Sequence, residues 1–240
     1  MTIPGSDLQA GRVVLVTGAD GGMGRGLVAE YVNHGYRVVA AHHRETSHVK
    51  TDRIWPLAID VTDRAGVKSA VQQITERWGL VSILVNNAGI AADTILANLK
   101  ESDWDRVMDV NLKGAFFCSQ AVLPGMIRGR DGHIVNISSV SGLQGRVGQA
   151  SYAAAKAGLV GLTRALAKEV GSRNVRVNVV IPGVMATPMV RHLDLGHLRA
   201  LEAANALGRI SRVEEVVRFI AFLTTLQDVS GQVFQLDSRI

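Results

Sequence analysis

Seven short runs rich in β-branched residues recur along this 240-residue chain, and most are separated by segments with a helical pattern. The runs are Arg12–Thr17, Arg37–Ala41, Ile54–Ile59, Val81–Val85, His133–Ile137, Val175–Ile181 and Gln232–Leu236. Apolar residues recur with the 3.6-residue period over Gly24–Asn33, Arg64–Trp78, Trp104–Ile127, Ser151–Gly171 and Val213–Leu226. Strands that alternate with helices pair in parallel through right-handed crossovers, and the helices then cover both faces of one sheet. The expectation is an α/β chain with a doubly wound parallel sheet. With no repeat, low-complexity tract or linker, a single domain over 1–240 is the better reading.

Composition narrows the classes of function. A hydrophobic fraction of 47% is ample for a core. The opening residues carry no basic region followed by an apolar stretch, and no run reaches 18 apolar residues, so neither a secretory signal nor a membrane span is expected. Cys118 is the only cysteine, which excludes an internal disulfide and fits a reducing, cytoplasmic setting. The seven histidines lack metal-ligand spacing, and no metal site is assigned. A net charge of +5 without a basic run or aromatic interleaving does not mark a nucleic-acid surface. A polyanionic ligand, such as a dinucleotide phosphate or an acidic carrier, would give that excess a purpose.

The first strand runs into Thr17-Gly18-Ala19-Asp20-Gly21-Gly22-Met23-Gly24, which opens a helix. Glycines at 18, 22 and 24 allow a tight turn and let backbone approach a pyrophosphate at the helix N-terminus. The same composition serves a plain loop, and it is the strand before and the helix after that favour a Rossmann-type cofactor turn. The second strand ends in His42-His43-Arg44, with no acid at 42 or 43 for a ribose 2′-hydroxyl. Arg44 offers a planar fork to a 2′-phosphate, so NADP(H) is preferred over NAD(H), an inclination that Asp20 slightly opposes. Asp60-Val61 ends the third strand, where a carboxylate accepts from an adenine amino group. Asn86-Asn87-Ala88-Gly89 follows the fourth, a small-residue segment suited to close passage past a cofactor.

Ser139, Tyr152 and Lys156 stand thirteen and then four residues apart. Residues at i and i+4 share a helix face, so the Lys156 ammonium is expected to draw the Tyr152 phenol below its ordinary value of about 10. A phenol so tuned donates a proton, and a serine hydroxyl holds the oxygen that receives it. Tyr-Ala-Ala-Ala-Lys by itself is a good helix surface. The functional reading prevails because all these fragments fall at the C-terminal ends of successive strands, where open α/β sheets bind ligands.

With these elements the chain resembles the short-chain dehydrogenase/reductases over nearly its whole length. The resemblance rests on TGADGGMG, the NNAG at 86–89, Asn111 in VNLKG, the Ser139–Tyr152–Lys156 trio, and Pro182-Gly183 with Thr187 beyond. It implies a seven-stranded sheet, a nicotinamide cofactor and a homotetramer, with the cofactor half running to about residue 135 and the catalytic half from there on. It also implies roles: Tyr152 as general acid/base, Ser139 on the substrate oxygen, and Lys156 on the tyrosine pKa and the nicotinamide ribose. Asn111 would hold a water that continues the proton relay. Cofactor contacts would come from residues 18–24, His43, Arg44, Asp60, Val61, Asn87, Ala88, Gly89, Tyr152, Lys156, Pro182, Gly183, Met185 and Thr187.

Residues 89–100 and GQASYAAAKAG at 148–158 look most like 3-oxoacyl-[acyl-carrier-protein] reductases of fatty acid synthesis, with Arg130 and Arg173 where those enzymes meet the acidic carrier. Acetoacetyl-CoA reduction, a secondary alcohol or ketone dehydrogenase, and a non-catalytic dinucleotide sensor are the rival readings. Three features depart from the pattern: the short 42–53 connection, a slightly shortened 226–230 segment, and the ending Asp237-Ser-Arg-Ile240.

Overall fold

The computed structural model describes residues 11–44, 46–185 and 195–238. All seven expected strands form, as β1 (Val13–Val16), β2 (Arg37–His42), β3 (Ile54–Ala58), β4 (Val81–Asn86), β5 (Gly132–Ile137), β6 (Val175–Pro182) and β7 (Val233–Leu236). They pair in parallel in the order β3-β2-β1-β4-β5-β6-β7. The reversal of direction between β1 and β4 opens the crevice in which such sheets take ligands.

Strand alternation divides the core in two. Val13 and Leu15 face one layer with Val39, Ile134 and Val177, covered by α2 (Arg64–Trp78), α4 (Gly114–Gly129) and α6 (Ala150–Val170). Val14 and Val16 face the other with Val38 and Val180, covered by α1 (Gly22–Asn33) and α8 (Val213–Leu223). On that side Leu27 and Tyr31 of α1 and Ile220 of α8 are fully buried. Asp63 caps α2 by accepting from Ala65 N–H at 3.0 Å, as its place before the apolar period suggests.

Two connections differ from a simple helix-per-crossover plan. Between β2 and β3 there is no helix among the described residues, as the short spacing implied. The segment expected as one helix over Trp104–Ile127 starts earlier and is interrupted: α3 (Glu101–Met108), a π-helical turn (Asp109–Lys113), then α4. The wide turn places the buried Asn111 at the interruption, and such turns cluster at functional sites. Two further helices, α5 (Ser141–Gln144) and α7 (Leu195–Ala203), complete the described set. No described helix is long and apolar enough to cross a membrane, and no described cluster of His, Cys, Asp and Glu could hold a metal.

Candidate active site

The glycine-rich turn is held by β4. Thr17 Oγ1 accepts from the N–H groups of Asn87 and Ala88, each at 3.0 Å, and donates to Val85 O at 3.4 Å. Asn87 Nδ2 donates to Thr17 O and Gly18 O at 2.9 and 3.0 Å. The Asn87 amide therefore welds two strand ends together, and its Nδ2 is committed to both carbonyls. Gly18 is required twice: its φ is +62°, and a Cβ would lie 2.8 Å from Ala88 Cα. A Cβ at Gly24 would lie 2.2 Å from Gly18 O, so α1 begins directly on the turn.

Gly21 caps α1 without a side-chain bond, which leaves the first-turn N–H groups of that helix without a side-chain partner. That is the donor set an anionic pyrophosphate takes, so the turn fits a dinucleotide. Ala19, Met23 and Val61 are buried.

The adenosine end is shaped by the short β2–β3 connection. Asp20 Oδ1 accepts from Ser47 N–H at 2.9 Å, Ser47 Oγ at 3.1 Å and Thr46 Oγ1 at 3.2 Å. His48 Nε2 lies 3.0 Å from Ala19 O. Burial alone would raise the Asp20 pKa, but the bonds from Ser47 and Thr46 and the nearby His48 bring it below the ordinary value. Asp60 is likewise lowered, by bonds from the Thr62 hydroxyl and N–H at 2.7 and 2.9 Å and by His43, whose Nε2 is 3.5 Å from Oδ2. His43 and Arg44 are exposed at this end of the crevice.

Ser139, Tyr152 and Lys156 converge at the end of β5. Lys156 Nζ donates to Ile137 O at 2.7 Å, and Ser138 Oγ donates to Lys156 O at 2.7 Å, which fastens α6 to the strand. Gly142 lets α5 close on α6, since a Cβ there would lie 2.8 Å from Ala157 N. Lys156 Nζ is 5.6 Å from the Tyr152 ring centroid, and the Ser139 hydroxyl stands close enough to the phenol to lower its pKa. Gly89 fits between Asn111 and Lys156: its Cβ would be 3.4 Å from both Asn111 Oδ1 and Lys156 Nζ.

Burial alters the expected electrostatics. The Tyr152 phenol is raised above 10 by desolvation and by the Asp93 carboxylate, against the Ser139 bond that lowers it. Lys156 is itself driven down from 10.5 to about 8 by burial. The expectation that the ammonium pulls the phenol down is thus not met in the free chain, because both groups are desolvated and each favours its neutral form. Asn111 also differs: Oδ1 accepts from Ile90 N–H at 2.8 Å and Nδ2 donates to Ile90 O at 2.9 Å.

Pro182 ends β6, and Gly183 packs so closely that its Cβ would lie 2.3 Å from Ser211 Oγ. Met185 is buried and bridges to Ser211, while Thr187 lies outside the described residues. Arg130 and Arg173 are exposed neighbours, with Arg130 Nη2 donating to Ser172 O at 3.2 Å. They sit at the N-terminal ends of β5 and β6, across the sheet from the trio. Gln149 and Asp93, which sequence reasoning gave no role, complete the surroundings of Tyr152: Gln149 Nε2 donates to Asp93 Oδ2 at 2.9 Å.

The short chain dehydrogenase family model matches residues 12–197. The 3-oxoacyl-[acyl-carrier-protein] reductase FabG of Thermotoga maritima is 41% identical, covering 96% of this chain and 98% of the relative. The enzymes of the same name from Pseudomonas aeruginosa and Escherichia coli are 40% and 38% identical, each covering 90% of both chains. With the trio gathered at the crevice of a seven-stranded parallel sheet, these matches show that the chain belongs to the short-chain dehydrogenase family and is an oxidoreductase that uses a nicotinamide dinucleotide.

Proposed function

We propose that this enzyme reduces 3-oxoacyl thioesters to 3-hydroxyacyl thioesters in fatty acid synthesis, with NADPH as reductant and acyl carrier protein as the substrate's carrier. The observation that carries the reading is the convergence of Ser139, Tyr152 and Lys156 at the C-terminal end of β5, in a chain 41% identical to a reductase of that name. A bound nicotinamide dinucleotide would supply a hydride. Residues 18–24 would hold its pyrophosphate, His43 and Arg44 would meet its adenosine end with Asp60 at the adenine, and residues 87–89, 182, 183, 185 and 187 would flank the rest. The Ser139 hydroxyl donates to the substrate's carbonyl oxygen, and Tyr152 delivers its phenolic proton there as negative charge develops. Lys156 orients the ribose and offsets the charge left on the phenolate, and Asn111 continues the relay.

A phenol held protonated by burial suits the reductive direction, because the group that must give a proton still has it at neutral pH. Exposed Arg130 and Arg173 support an acidic carrier, although they lie a strand's length from Tyr152, about 20 Å for six residues. An acyl group delivered from there must ride on a long arm or enter a neighbouring copy. A homotetramer takes support from the groove of about 480 Å³ lined by Met108, Leu112, Phe116 and Leu162.

Tyr152→Phe tests the assignment. Thioester reduction should fall by about 10²–10⁴ while NADPH affinity, read by its fluorescence, stays within about twofold of wild type. Near-normal turnover would refute the proton-donor role.

A further inference from the structure

Gln149 lies at the start of α6, buried, three residues before Tyr152. Both ends of its amide are committed. Oε1 accepts from Ser141 Oγ at 2.7 Å, and Nε2 donates to Asp93 Oδ2 at 2.9 Å. The Ser141 N–H in turn donates to Ser139 Oγ at 3.2 Å. A chain of polar contacts therefore runs from the carboxylate of Asp93, on the loop after β4, to the serine that faces the phenol. Beside it, Thr94 N–H donates to Gly148 O at 2.8 Å. Two bonds thus stitch together loops that stand 56 residues apart in sequence.

This arrangement differs from ordinary packing in what it holds. Asp93 is itself exposed, on a largely exposed loop, and a carboxylate left to itself there would turn wholly to solvent. The Gln149 amide instead keeps it on the phenol's side of the mouth. Among the described residues, the other charge placed beside Tyr152 is Lys156, one turn along the same helix. Asp93 is the acid of the two, and its field favours the neutral phenol over the phenolate.

We propose that Asp93 and Gln149 are positioning residues for the proton-transfer step: the Gln149 bridge locks the loop after β4 to the loop that carries Ser139, and it holds the Asp93 carboxylate at the mouth of the site, where its charge reinforces the proton-donating form of Tyr152. The proposal rests on the reading of Tyr152 as proton donor, and it deepens that reading by tying the direction of catalysis to a residue outside the trio.

Three variants separate the clamp from the charge. Asp93→Asn keeps an oxygen for Gln149 Nε2 but removes the charge. Gln149→Glu sets two carboxylates face to face and breaks the clamp. Combined, they reverse donor and acceptor and restore both the bond and one negative charge. Tyrosinate absorbance, taken as the difference between each protein and its Tyr152→Phe counterpart, follows the phenol directly. Its midpoint should fall in Asp93→Asn, because an exposed carboxylate no longer opposes ionisation. With acetoacetyl-CoA as the probe, Gln149→Glu should lose about tenfold in kcat/KM, and the double variant should recover most of it. An unchanged midpoint, or no Tyr152 signal in the pH range where the proteins stay folded, overturns the charge role. A double variant no better than Gln149→Glu overturns the clamp. If Tyr152→Phe itself turns over normally, the donor reading fails and the proposal with it; if that variant is inactive and the midpoint does not move, the proposal alone fails.

Discussion

Replacing Lys156 with methionine should make this protein more stable at neutral pH while it disables it. The lysine is 3% exposed, and its Nζ donates to Ile137 O at 2.7 Å. Burial takes its pKa from 10.5 to about 8. Because the folded state disfavours the ammonium, the penalty is fully present below pH 8 and fades as pH rises towards the unfolded value of 10.5. At about 1.4 kcal/mol per pH unit, that displacement amounts to about 3 kcal/mol at pH 7. Methionine has similar length and no charge, so it removes the penalty, but it leaves the Ile137 carbonyl short of a donor at a cost of about 1–2 kcal/mol. Urea unfolding should therefore show Lys156→Met more stable than wild type by about 1–2 kcal/mol at pH 7, with the advantage gone by pH 10. A variant less stable at pH 7, or a difference that is the same at both pH values, would refute the idea that stability is given up at this position for function.

Two further outcomes test the cofactor and the carrier. His42→Asp with Arg44→Ala should swing preference from NADPH to NADH, since a charge-assisted contact worth about 1.5–3 kcal/mol is lost and an acid for the ribose hydroxyl is gained; a wild type that already binds NADH more tightly contradicts the strand-end reading. Arg130→Glu with Arg173→Glu should raise KM for a carrier-protein thioester about tenfold, or about 1.4 kcal/mol, and leave kcat/KM for a short uncharged β-keto ester nearly unchanged. Equal losses on both substrates would assign the arginines to folding or assembly, and no loss on either would favour a small-ketone substrate.

The sheet was legible because its signal is local. Most strands are runs rich in β-branched residues, and each forms within a residue or two of the expected place. The interruption at Asp109–Lys113 was not, because one extra residue in a turn leaves the apolar period almost unchanged. The trio was readable from spacing, but its electrostatics were not. A tyrosine and a lysine on one helix face look like a phenol and its ammonium until both prove to be buried. Asn87 was assigned to the cofactor from composition, whereas its amide serves the joint between β1 and β4. Gln149 and Asp93 lay inside quoted segments without a role, since nothing in a linear sequence pairs residues 56 apart.

Strand β3 forms one edge of the sheet, and Pro56 stands at its middle. Ile59 N–H donates to His42 O and Val38 N–H to Arg53 O. Along a parallel ladder alternate residues turn their N–H groups to the neighbouring strand, so 55, 57 and 59 face β2 and 54, 56 and 58 face outward. The proline therefore costs the native ladder nothing, while an incoming strand would find a donor missing at the centre of the row it needs. This edge is blunted against templated self-association. The blunting also works before the fold is complete, when a nascent parallel sheet is slow to close and most exposed to other unfinished chains.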